Sequence, residues 1–216
     1  MELAQPLATG LAALHLDLPQ DAQTRMLAYL RLLDQWNHAY NLTAVRDPAD
    51  MVARHLLDSL AVLPWIQGKT LADLGSGAGL PGIPLAIARP GLAVTLVESN
   101  GKKARFLREA VRSLPLANVR VAQARVQDLR GQFDTITARA FASIPDMLAW
   151  AGHLLAPDGR WLALKGHPDA GEMAAVAAPF RVIAAHALAV PGIDAERCLI
   201  ELTRGPSRAG APAMVR

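Results

Sequence analysis

The sequence predicts an α/β fold in which a mostly parallel, seven-stranded sheet follows an N-terminal group of helices. From Thr70 onward, short apolar runs alternate with helical segments, which indicates parallel strands joined by right-handed crossovers. The last two runs are separated only by a turn at Pro191-Gly192, so an antiparallel pair is expected to close the sheet. A chain of 216 residues allows one domain, or one domain with an appendage.

The region before the first strand is predicted to be helical throughout. Apolar residues recur at helical spacing in two segments, Leu3–Leu16 and Asp21–Tyr40. A third helix begins at Asp47, a good N-cap that Pro48 follows at the first helical position, and runs to about Trp65. We therefore expect an N-terminal helical cap over residues 1–68.

The sheet domain is predicted over residues 69–204. Its strand candidates are Leu71–Leu74, Ala93–Val97, Val119–Ala122, Thr135–Ala138, Trp161–Lys165, Val182–Val190 and Cys198–Thr203. The helix candidates between them are Ile83–Arg89, Lys102–Leu114, Ile144–Leu155 and Ala170–Ala178. Residues 205–216 are predicted to form a flexible tail, because glycine, proline and small residues dominate there.

Composition excludes several classes of protein. An apolar fraction of 52% and a charged fraction of 19% exclude a disordered chain. The single cysteine, Cys198, allows no internal disulfide and indicates a reducing compartment, and we expect it in the core, far from the binding crevice. The longest uncharged span, Leu74–Ala88, is too short and too rich in glycine and proline for a membrane helix. We therefore expect a cytoplasmic globular protein that does not bind membranes.

The strongest motif is the glycine loop Asp73-Leu74-Gly75-Ser76-Gly77-Ala78-Gly79, between a predicted strand and a predicted helix. Glycines allow positive φ angles and a close approach of the backbone to a ligand. In an open parallel sheet, ligands bind beyond the carboxyl ends of the strands, where this loop lies. A serine-hydrolase elbow is excluded, because leucine and alanine stand where G-x-S-x-G needs glycines.

Two cofactors compete for this loop. A dinucleotide needs G-x-G-x-x-G and a later acid, which Gly77, Gly79, Gly82 and Glu98 supply. Methyltransferases that use S-adenosylmethionine carry acid-x-G-x-G-x-G, which the loop matches at every position from Asp73 onward. The leading acid, the extra glycine and the closing antiparallel pair favour S-adenosylmethionine, and a purely structural turn is the third alternative. On this reading the cofactor contacts include Asp73, Gly75, Ser76, Gly77 and, at the ribose, Glu98.

Several short motifs along the chain support a more specific interpretation. They are Trp36-Asn37, Asn41-Leu42-Thr43, Arg54-His55, Leu57-Asp58-Ser59, Gly75 through Pro84, Lys102-Lys103, Phe106-Leu107, Arg139-Ala140-Phe141 and Leu164-Lys165-Gly166. Taken together, they resemble the RsmG (GidB) family, the 16S rRNA (guanine-527-N7)-methyltransferases, over about residues 20–204. The resemblance implies a class I S-adenosylmethionine-dependent methyltransferase fold, Rossmann-like, with an antiparallel last strand.

The resemblance also implies further cofactor contacts, at Gly75, Leu80, Val126, Gln127 and Arg139. Val126 and Gln127 follow the third predicted strand, where a backbone N–H and a polar side chain usually meet the adenine. The family often has an acid where this chain has Gln127, which is still able to hydrogen-bond an adenine amino group.

Guanine N7 carries a lone pair and no proton, so its methylation needs alignment and desolvation rather than a general base or a metal. We therefore expect no catalytic residue in the strict sense. Arg139 and Lys165 end predicted strands on the active side and are candidates to bind guanine O6, while Phe141 is a candidate to stack on the base. The alternatives are a salt bridge of Arg139 with Asp73, an ordinary surface charge at Lys165 and a core role for Phe141.

The net charge of +3 does not by itself indicate RNA binding, but several basic residues cluster on the helix after Glu98. We predict RNA contacts at Lys102, Lys103, Arg105 and Lys165, with a solvated helix face as the alternative for the helix. Arg108 and Arg112 lie on the same helix face as Arg105. Further basic candidates are Arg46, Arg54, Arg125 and Arg130. Two pairs are interpreted as structural: His55 with Asp58, and Asn37 with Asn41.

The implied partner is 16S rRNA, in the small ribosomal subunit or its precursor, bound by a monomer. Three alternatives stay open: a methyltransferase of another RNA, an NAD-dependent oxidoreductase, and a non-catalytic RNA-binding module with a vestigial fold. The intact glycine loop argues against the last of these. The six histidines show no metal-ligand spacing, so no metal is expected.

Overall fold

A computed structural model describes residues 3–139 and 142–205. The strands are β1 (Thr70–Leu74), β2 (Ala93–Val97), β3 (Val119–Ala122), β4 (Phe133–Arg139), β5 (Leu155–Lys165), β6 (Phe180–Ala187) and β7 (Cys198–Arg204). The α-helices are α1 (Ala4–Ala13), α2 (Gln20–Tyr40), α3 (Pro48–Met51), α4 (Asp58–Leu60), α5 (Gly82–Ala88), α6 (Gly101–Ser113), α7 (Ile144–Ala151) and α8 (Ala170–Ala174). Part of the predicted tail, residues 206–216, and Phe141 lie outside the described residues.

The seven strands form one sheet in the order β3-β2-β1-β4-β5-β7-β6. The pairs among β1 to β5 are parallel, while β7 lies antiparallel to both β5 and β6. The α/β prediction is therefore confirmed, and the chain reverses direction in the sheet at β7 alone. Because β7 runs the other way, its first residues lie at the carboxyl edge of the parallel strands, where Cys198 is the register partner of Lys165.

The predicted third helix is not continuous. It begins as expected, with the Asp47 carboxylate accepting a hydrogen bond from the Ala49 N–H at 2.8 Å and Pro48 at the first position. A π-helical segment, Val52–Leu57, then separates α3 from α4, and a 3₁₀ turn follows at Leu63–Trp65. Such wider turns occur frequently at functional sites, and here the segment carries residues of a polar cavity described below.

Helices cover both faces of the sheet. On one face, Leu7 of α1, Leu30 of α2 and Phe106 of α6 belong to one apolar cluster. On the other face, Met147 of α7 packs in a second cluster with Trp161 of β5, and both are fully buried. The amphipathic helices thus bury the sheet on both sides, which leaves its carboxyl edge as the place where polar residues can converge.

A buried hydrogen bond ties the N-terminal helices to the loop after β1. The Tyr29 hydroxyl of α2 donates to the Ala78 carbonyl oxygen at 2.8 Å, and the tyrosine is fully buried. Burial raises the pKa of this phenol, so it stays protonated and remains a donor. The loop is therefore held from the side of α2 as well as from the sheet.

Candidate active site

The glycine loop after β1 has the backbone that its sequence predicts. Gly75, Gly77 and Gly79 have φ angles of +66°, +57° and +91°, a region that L side chains rarely adopt. The Ser76 N–H donates to the Val97 carbonyl at 3.0 Å, and the Leu80 N–H donates to the Ser76 carbonyl at 3.1 Å. The loop thus crosses from β1 over the end of β2 and leads into α5.

Gly77 has more open surroundings than Gly79 and Gly82. A Cβ built on it would have the Gly75 carbonyl oxygen as its nearest described contact, at 3.8 Å. A Cβ on Gly79 would lie 2.4 Å from Ile83, and one on Gly82 would lie 2.3 Å from Leu96. Gly77 therefore borders open space at the carboxyl edge, whereas Gly79 and Gly82 are needed for packing inside the protein.

The Asp73 side chain stabilises this loop through hydrogen bonds. Its carboxylate accepts hydrogen bonds from the Gly82 N–H at 3.1 Å and the Thr137 hydroxyl at 3.0 Å, and the residue is fully buried. Burial raises its pKa to about 6, against the lowering effect of these hydrogen bonds. The salt bridge with Arg139 that the sequence left as an alternative is not formed, since the Arg139 guanidinium pairs with Asp58 instead.

Glu98 stands just past the end of β2 and faces the loop. One carboxylate oxygen accepts from the Gly77 N–H at 3.0 Å and the other accepts from the Asn100 N–H at 2.8 Å. Each oxygen retains a second lone pair for another donor. The Asn100 side chain in turn caps α6, accepting from the Lys102 and Lys103 N–H groups. The acid, the loop and the start of α6 thus form one connected hydrogen-bonded unit.

A cavity of about 430 Å³ opens beside this unit and is called the loop cavity here. Four of the predicted cofactor residues line it: Gly75, Glu98, Val126 and Gln127. Lys103, Arg125 and Trp150 line it as well. The other predicted cofactor residues do not line it: Gly77 is joined to it through its hydrogen bond with Glu98, Asp73, Ser76 and Leu80 are buried, and Arg139 lines the neighbouring cavity.

A second cavity of about 380 Å³, called the arginine pocket here, lies at the carboxyl ends of β4 and β5. Its polar lining comprises Arg54, His55, Asp58, Arg139, Lys165 and Arg197. Leu74 and Ala138 are register partners at the carboxyl ends of β1 and β4, and Gly75 and Arg139 directly follow them in the chain. The two cavities are therefore neighbours at one edge of the sheet.

Asp58 organises the arginine pocket. Its carboxylate accepts from Arg139 at 3.0 Å and from Arg197 at 3.1 Å, and the residue is only 5% exposed. Arg139 also donates to the Arg54 carbonyl in the π-helical segment, at 3.3 Å. The shared carboxylate fixes both guanidinium groups, which keep about a quarter of their side-chain surface exposed.

Lys165, at the end of β5, is also held by a partner. Its ammonium group donates to Glu172 at 2.9 Å and to the Ala142 carbonyl at 3.0 Å. The same Glu172 oxygen accepts the Ile144 N–H at the start of α7. Lys165 is therefore neither an unpaired surface charge nor a free ligand for RNA, but a partly neutralised cation at the rim of the pocket.

The two pairs that the sequence marked as structural behave differently. His55 and Asp58 line the same pocket, but the His55 Nε2 faces the Thr43 hydroxyl at 3.0 Å, while Asp58 binds the two arginines. Burial lowers the pKa of His55 to about 4, so the ring is neutral at pH 7. Asn37 accepts from the Thr43 N–H at 2.9 Å and fixes the turn after α2, as its interpretation as a turn residue predicts.

Comparison with known proteins places the chain in a family. The family model described as rRNA small subunit methyltransferase G matches residues 22–200. A protein called ribosomal RNA small subunit methyltransferase G from Xanthomonas campestris pv. campestris (strain 8004) is 56% identical over 201 residues, 92% of this chain and 94% of that protein. The chain belongs to the rRNA small subunit methyltransferase G family. A protein of the same name from Alkalilimnicola ehrlichii is 51% identical, over 93% of this chain and 92% of that protein.

Solved structures resemble the chain in fold. Magnesium protoporphyrin IX methyltransferase (ChlM) from Synechocystis PCC 6803 with bound SAM has a TM-score of 0.57 at 17% identity, covering 82% of this chain and 97% of that one. Mitomycin 7-O-methyltransferase MmcR has a TM-score of 0.58 at 17% identity, covering 82% and 60%. Together with the strand order, these likenesses confirm the class I methyltransferase fold for this member of the rRNA small subunit methyltransferase G family.

Some site residues of this family member were not found by sequence reasoning. Arg197 directly precedes β7 and therefore stands at the carboxyl edge, which the antiparallel pairing alone is sufficient to predict. Cys198 is buried as expected, but the prediction that it lies far from the crevice is wrong. It is the first residue of the antiparallel strand β7, so it lies at the carboxyl edge and lines the arginine pocket. Trp150 lies in α7, and its sequence neighbours give no sign that it borders the loop cavity.

Among residues 3–139 and 142–205, no group of three or more histidine, cysteine, aspartate or glutamate side chains is arranged to hold a metal ion. No helix within the same described residues is both long enough and apolar enough to span a membrane.

Proposed function

We propose that the chain transfers a methyl group from S-adenosylmethionine to N7 of guanosine 527 in 16S rRNA. The observation that carries this proposal is the adjacency of Gly75, in the loop cavity, and Arg139, in the arginine pocket. A cofactor in the first cavity and a base in the second would meet at one edge of the sheet. Membership of the rRNA small subunit methyltransferase G family supports the class of substrate.

The residues around the loop cavity fit S-adenosylmethionine. The space next to Gly77 is one that a Cβ would enter, so a ligand is able to approach this backbone closely. Glu98 has lone pairs left for ribose hydroxyls, and Val126 and Gln127 line the part of the cavity assigned to the adenine. When bound, the cofactor supplies a methyl group on a sulfonium centre. Asp73, Ser76 and Leu80 are buried and act by holding the loop through their hydrogen bonds to Gly82, Val97 and the Ser76 carbonyl.

The arginine pocket has the chemistry to orient a guanine. Guanidinium groups are good donors to guanine O6. Asp58 holds Arg139 and Arg197 in fixed positions, so little side-chain entropy is lost when a base binds. His55 is neutral and buried, and N7 needs no base, so proton transfer has no part in this step. The chain's contribution is alignment of the base and exclusion of water.

Contacts to the RNA backbone are proposed at the start of α6. Lys102 is exposed, and Lys103 lines the loop cavity, so both lie where phosphates next to an extruded base would pass. Arg105 lies about one turn further along the same helix. Lys165 would contribute mainly by holding the rim of the pocket, because Glu172 partly neutralises it. We further propose that the chain acts as a monomer in the cytoplasm, on rRNA or its precursor particle.

The decisive experiment combines labelled methyl transfer with mapping of the modified nucleotide. The purified chain, S-adenosylmethionine with a labelled methyl group, and 16S rRNA lacking the modification are incubated, either naked or in the small subunit. Borohydride reduction followed by aniline cleaves RNA at N7-methylguanosine. We expect one new cleavage, at guanosine 527, in the form of the substrate that the enzyme accepts.

Three other outcomes would each contradict part of the proposal. Label at another nucleotide would mean a different RNA target. Absence of transfer to either form of the substrate, despite binding of S-adenosylmethionine, would favour the non-catalytic RNA-binding alternative. Binding of NAD in place of S-adenosylmethionine would favour an oxidoreductase, which the methyltransferase strand order already argues against.

A further inference from the structure

A groove of about 1020 Å³ runs between α2 and α6, outside both cavities of the active edge. It is called the α2–α6 groove here. Two aromatic and four basic side chains line it: Trp36, Tyr40, Lys102, Arg105, Arg108 and Arg112. Asn100 and Gly101, at the start of α6, line its near end, next to Glu98 and Lys103 of the loop cavity. The groove therefore leads away from the active edge along the side of the molecule.

The charge of the groove is strongly positive. All four basic side chains are exposed. Among the described residues, Glu109 is the only carboxylate that lines the groove, and it pairs with Arg112 at 2.7 Å. Arg108 donates to the neutral Gln123 at 2.9 Å and so keeps its full charge. Within the described part of the chain, Lys102 and Arg105 have no hydrogen-bond or ion-pair partner at their side chains. These cations are available for a polyanion.

The opposite wall of the groove is aromatic. Trp36 and Tyr40 lie one turn apart on α2 and stack with ring centroids 5.1 Å apart and an interplanar angle of 25°. Trp36 also packs against Phe106 of α6, with centroids 5.7 Å apart, which fixes the stack against the protein. Both rings stay partly exposed toward the groove. A rigid aromatic stack facing a row of cations is the combination that single-stranded nucleic acids use, with nucleobases on rings and phosphates on cations.

We infer that the α2–α6 groove binds a single-stranded RNA segment that flanks the methylated nucleotide, with a base on the Trp36–Tyr40 stack and phosphates on α6. This inference rests on the proposed function for the identity of the RNA. The inference that the groove binds a single strand rests only on the residues that line it. Because Lys102 lies at the mouth of the groove and Lys103 in the loop cavity, one strand is able to follow α6 from the groove to the active edge.

Direct binding tests the groove without relying on catalysis. The probe is a single-stranded oligoadenylate of about a dozen nucleotides, a length within reach of one such site, compared with duplex RNA of equal length. We expect Tyr40→Ala to weaken single-strand binding at least about 5-fold, since loss of one stacked base costs about this much or more. Tyr40→Phe keeps the ring and should bind within about twofold of wild type.

The salt dependence of RNA affinity tests the basic side chains of α6. Replacing Arg105 and Arg108 by Gln should flatten the dependence of log affinity on log salt by about 0.7 for each phosphate that the variant no longer neutralises. Arg31→Gln is the matched control, because Arg31 is exposed on α2 and does not line the groove, and its slope should equal that of wild type. Unchanged affinity for S-adenosylmethionine in every variant shows that the fold is intact.

Two results would overturn the inference. One is unaltered single-strand binding in both Tyr40→Ala and the double arginine variant. The other is a dimer that Arg105→Glu dissociates with no change in RNA binding, which would assign the groove to a second copy of the chain.

The kinetics of methyl transfer test RNA binding in the groove separately from the proposed function. In methyl transfer to 16S rRNA, Tyr40→Ala should raise KM about as much as it weakens oligoadenylate binding and leave kcat within about twofold. If the wild-type chain methylates no rRNA but binds oligoadenylate through Tyr40, the proposed function fails while the groove is supported. If transfer is normal and Tyr40→Ala leaves KM unchanged, the groove fails alone.

Discussion

Replacing Gly77 by alanine separates binding of the cofactor from stability of the fold. Gly77 has a φ of +57°, and an alanine in this region costs about 1–2 kcal/mol. The added Cβ would come no closer than 3.8 Å to its nearest described contact, the Gly75 carbonyl oxygen, so no clash adds to that cost. For a chain of this size, we expect Tm to fall by about 2–8 °C.

The effect on the cofactor should be larger than the effect on the fold. The Cβ would enter the open space beside the loop, where the proposed S-adenosylmethionine lies against the backbone. We expect Kd for S-adenosylmethionine to rise at least about tenfold, which corresponds to about 1.4 kcal/mol. Isothermal titration calorimetry measures this Kd, and thermal unfolding without cofactor measures the change in stability.

Two other glycines serve as comparisons. Gly91→Ala is the matched control, because a Cβ at this position would meet no described atom within 4 Å, and both Tm and Kd should stay near wild type. Gly82→Ala places a Cβ 2.3 Å from Leu96 and 2.8 Å from the Asp73 carboxylate, so it should lower Tm more than Gly77→Ala does. If Gly77→Ala binds S-adenosylmethionine as tightly as wild type, the cofactor does not lie against this loop and the reasoning fails.

Three further predictions concern the polar interior. Asp58→Ala should lower the free energy of unfolding in urea by about 2–3 kcal/mol, because two partly buried arginines lose their carboxylate, and an unchanged midpoint would contradict this. The contribution of His55 to the unfolding free energy should fall as pH drops from about 6.5 toward 4, because the unfolded chain protonates His55 while the folded chain resists it. The raised pKa of Asp73 acts in the opposite direction over this range, so the measurement is the difference between wild type and His55→Gln in urea titrations at several pH values, and a constant difference would contradict the prediction. Tyr29→Phe should cost about 1–2 kcal/mol in the same assay, since it leaves the buried Ala78 carbonyl unpaired, and a neutral effect would show that this bond adds no stability.

Local features of the chain were readable from sequence because their causes are local. Apolar runs located every strand of the sheet, and the predicted cap at Asp47 lies at a helix start. The glycine pattern predicted a loop that needs positive φ, and three of its glycines have it. The break in the third helix was missed, because the residues of the π-helical segment, Val52–Leu57, have the same apolar spacing as an ordinary helix.

The arginine pocket was only partly predictable because its pairs join distant parts of the chain. Asp58 lies 81 residues before Arg139 and 139 residues before Arg197, and no local spacing indicates which carboxylate a given arginine will choose. Asp73 was the partner named in the alternative for Arg139, but its carboxylate accepts from the Gly82 N–H and the Thr137 hydroxyl instead. Pairing across the fold thus depends on tertiary geometry that the sequence does not display.

Under the proposed function, the paired and the unpaired cations have separate roles in RNA binding. Arg139 and Arg197 are fixed by Asp58, so each presents its donors in one orientation, as recognition of a single base requires. Lys102 and Arg105 on α6 are exposed and lack ionic partners within the described chain, so they suit the sequence-independent attraction of phosphates. Raising salt should therefore weaken rRNA binding mainly through α6. Discrimination between guanine and other bases, which we propose depends on the arginine pocket, should change much less with salt.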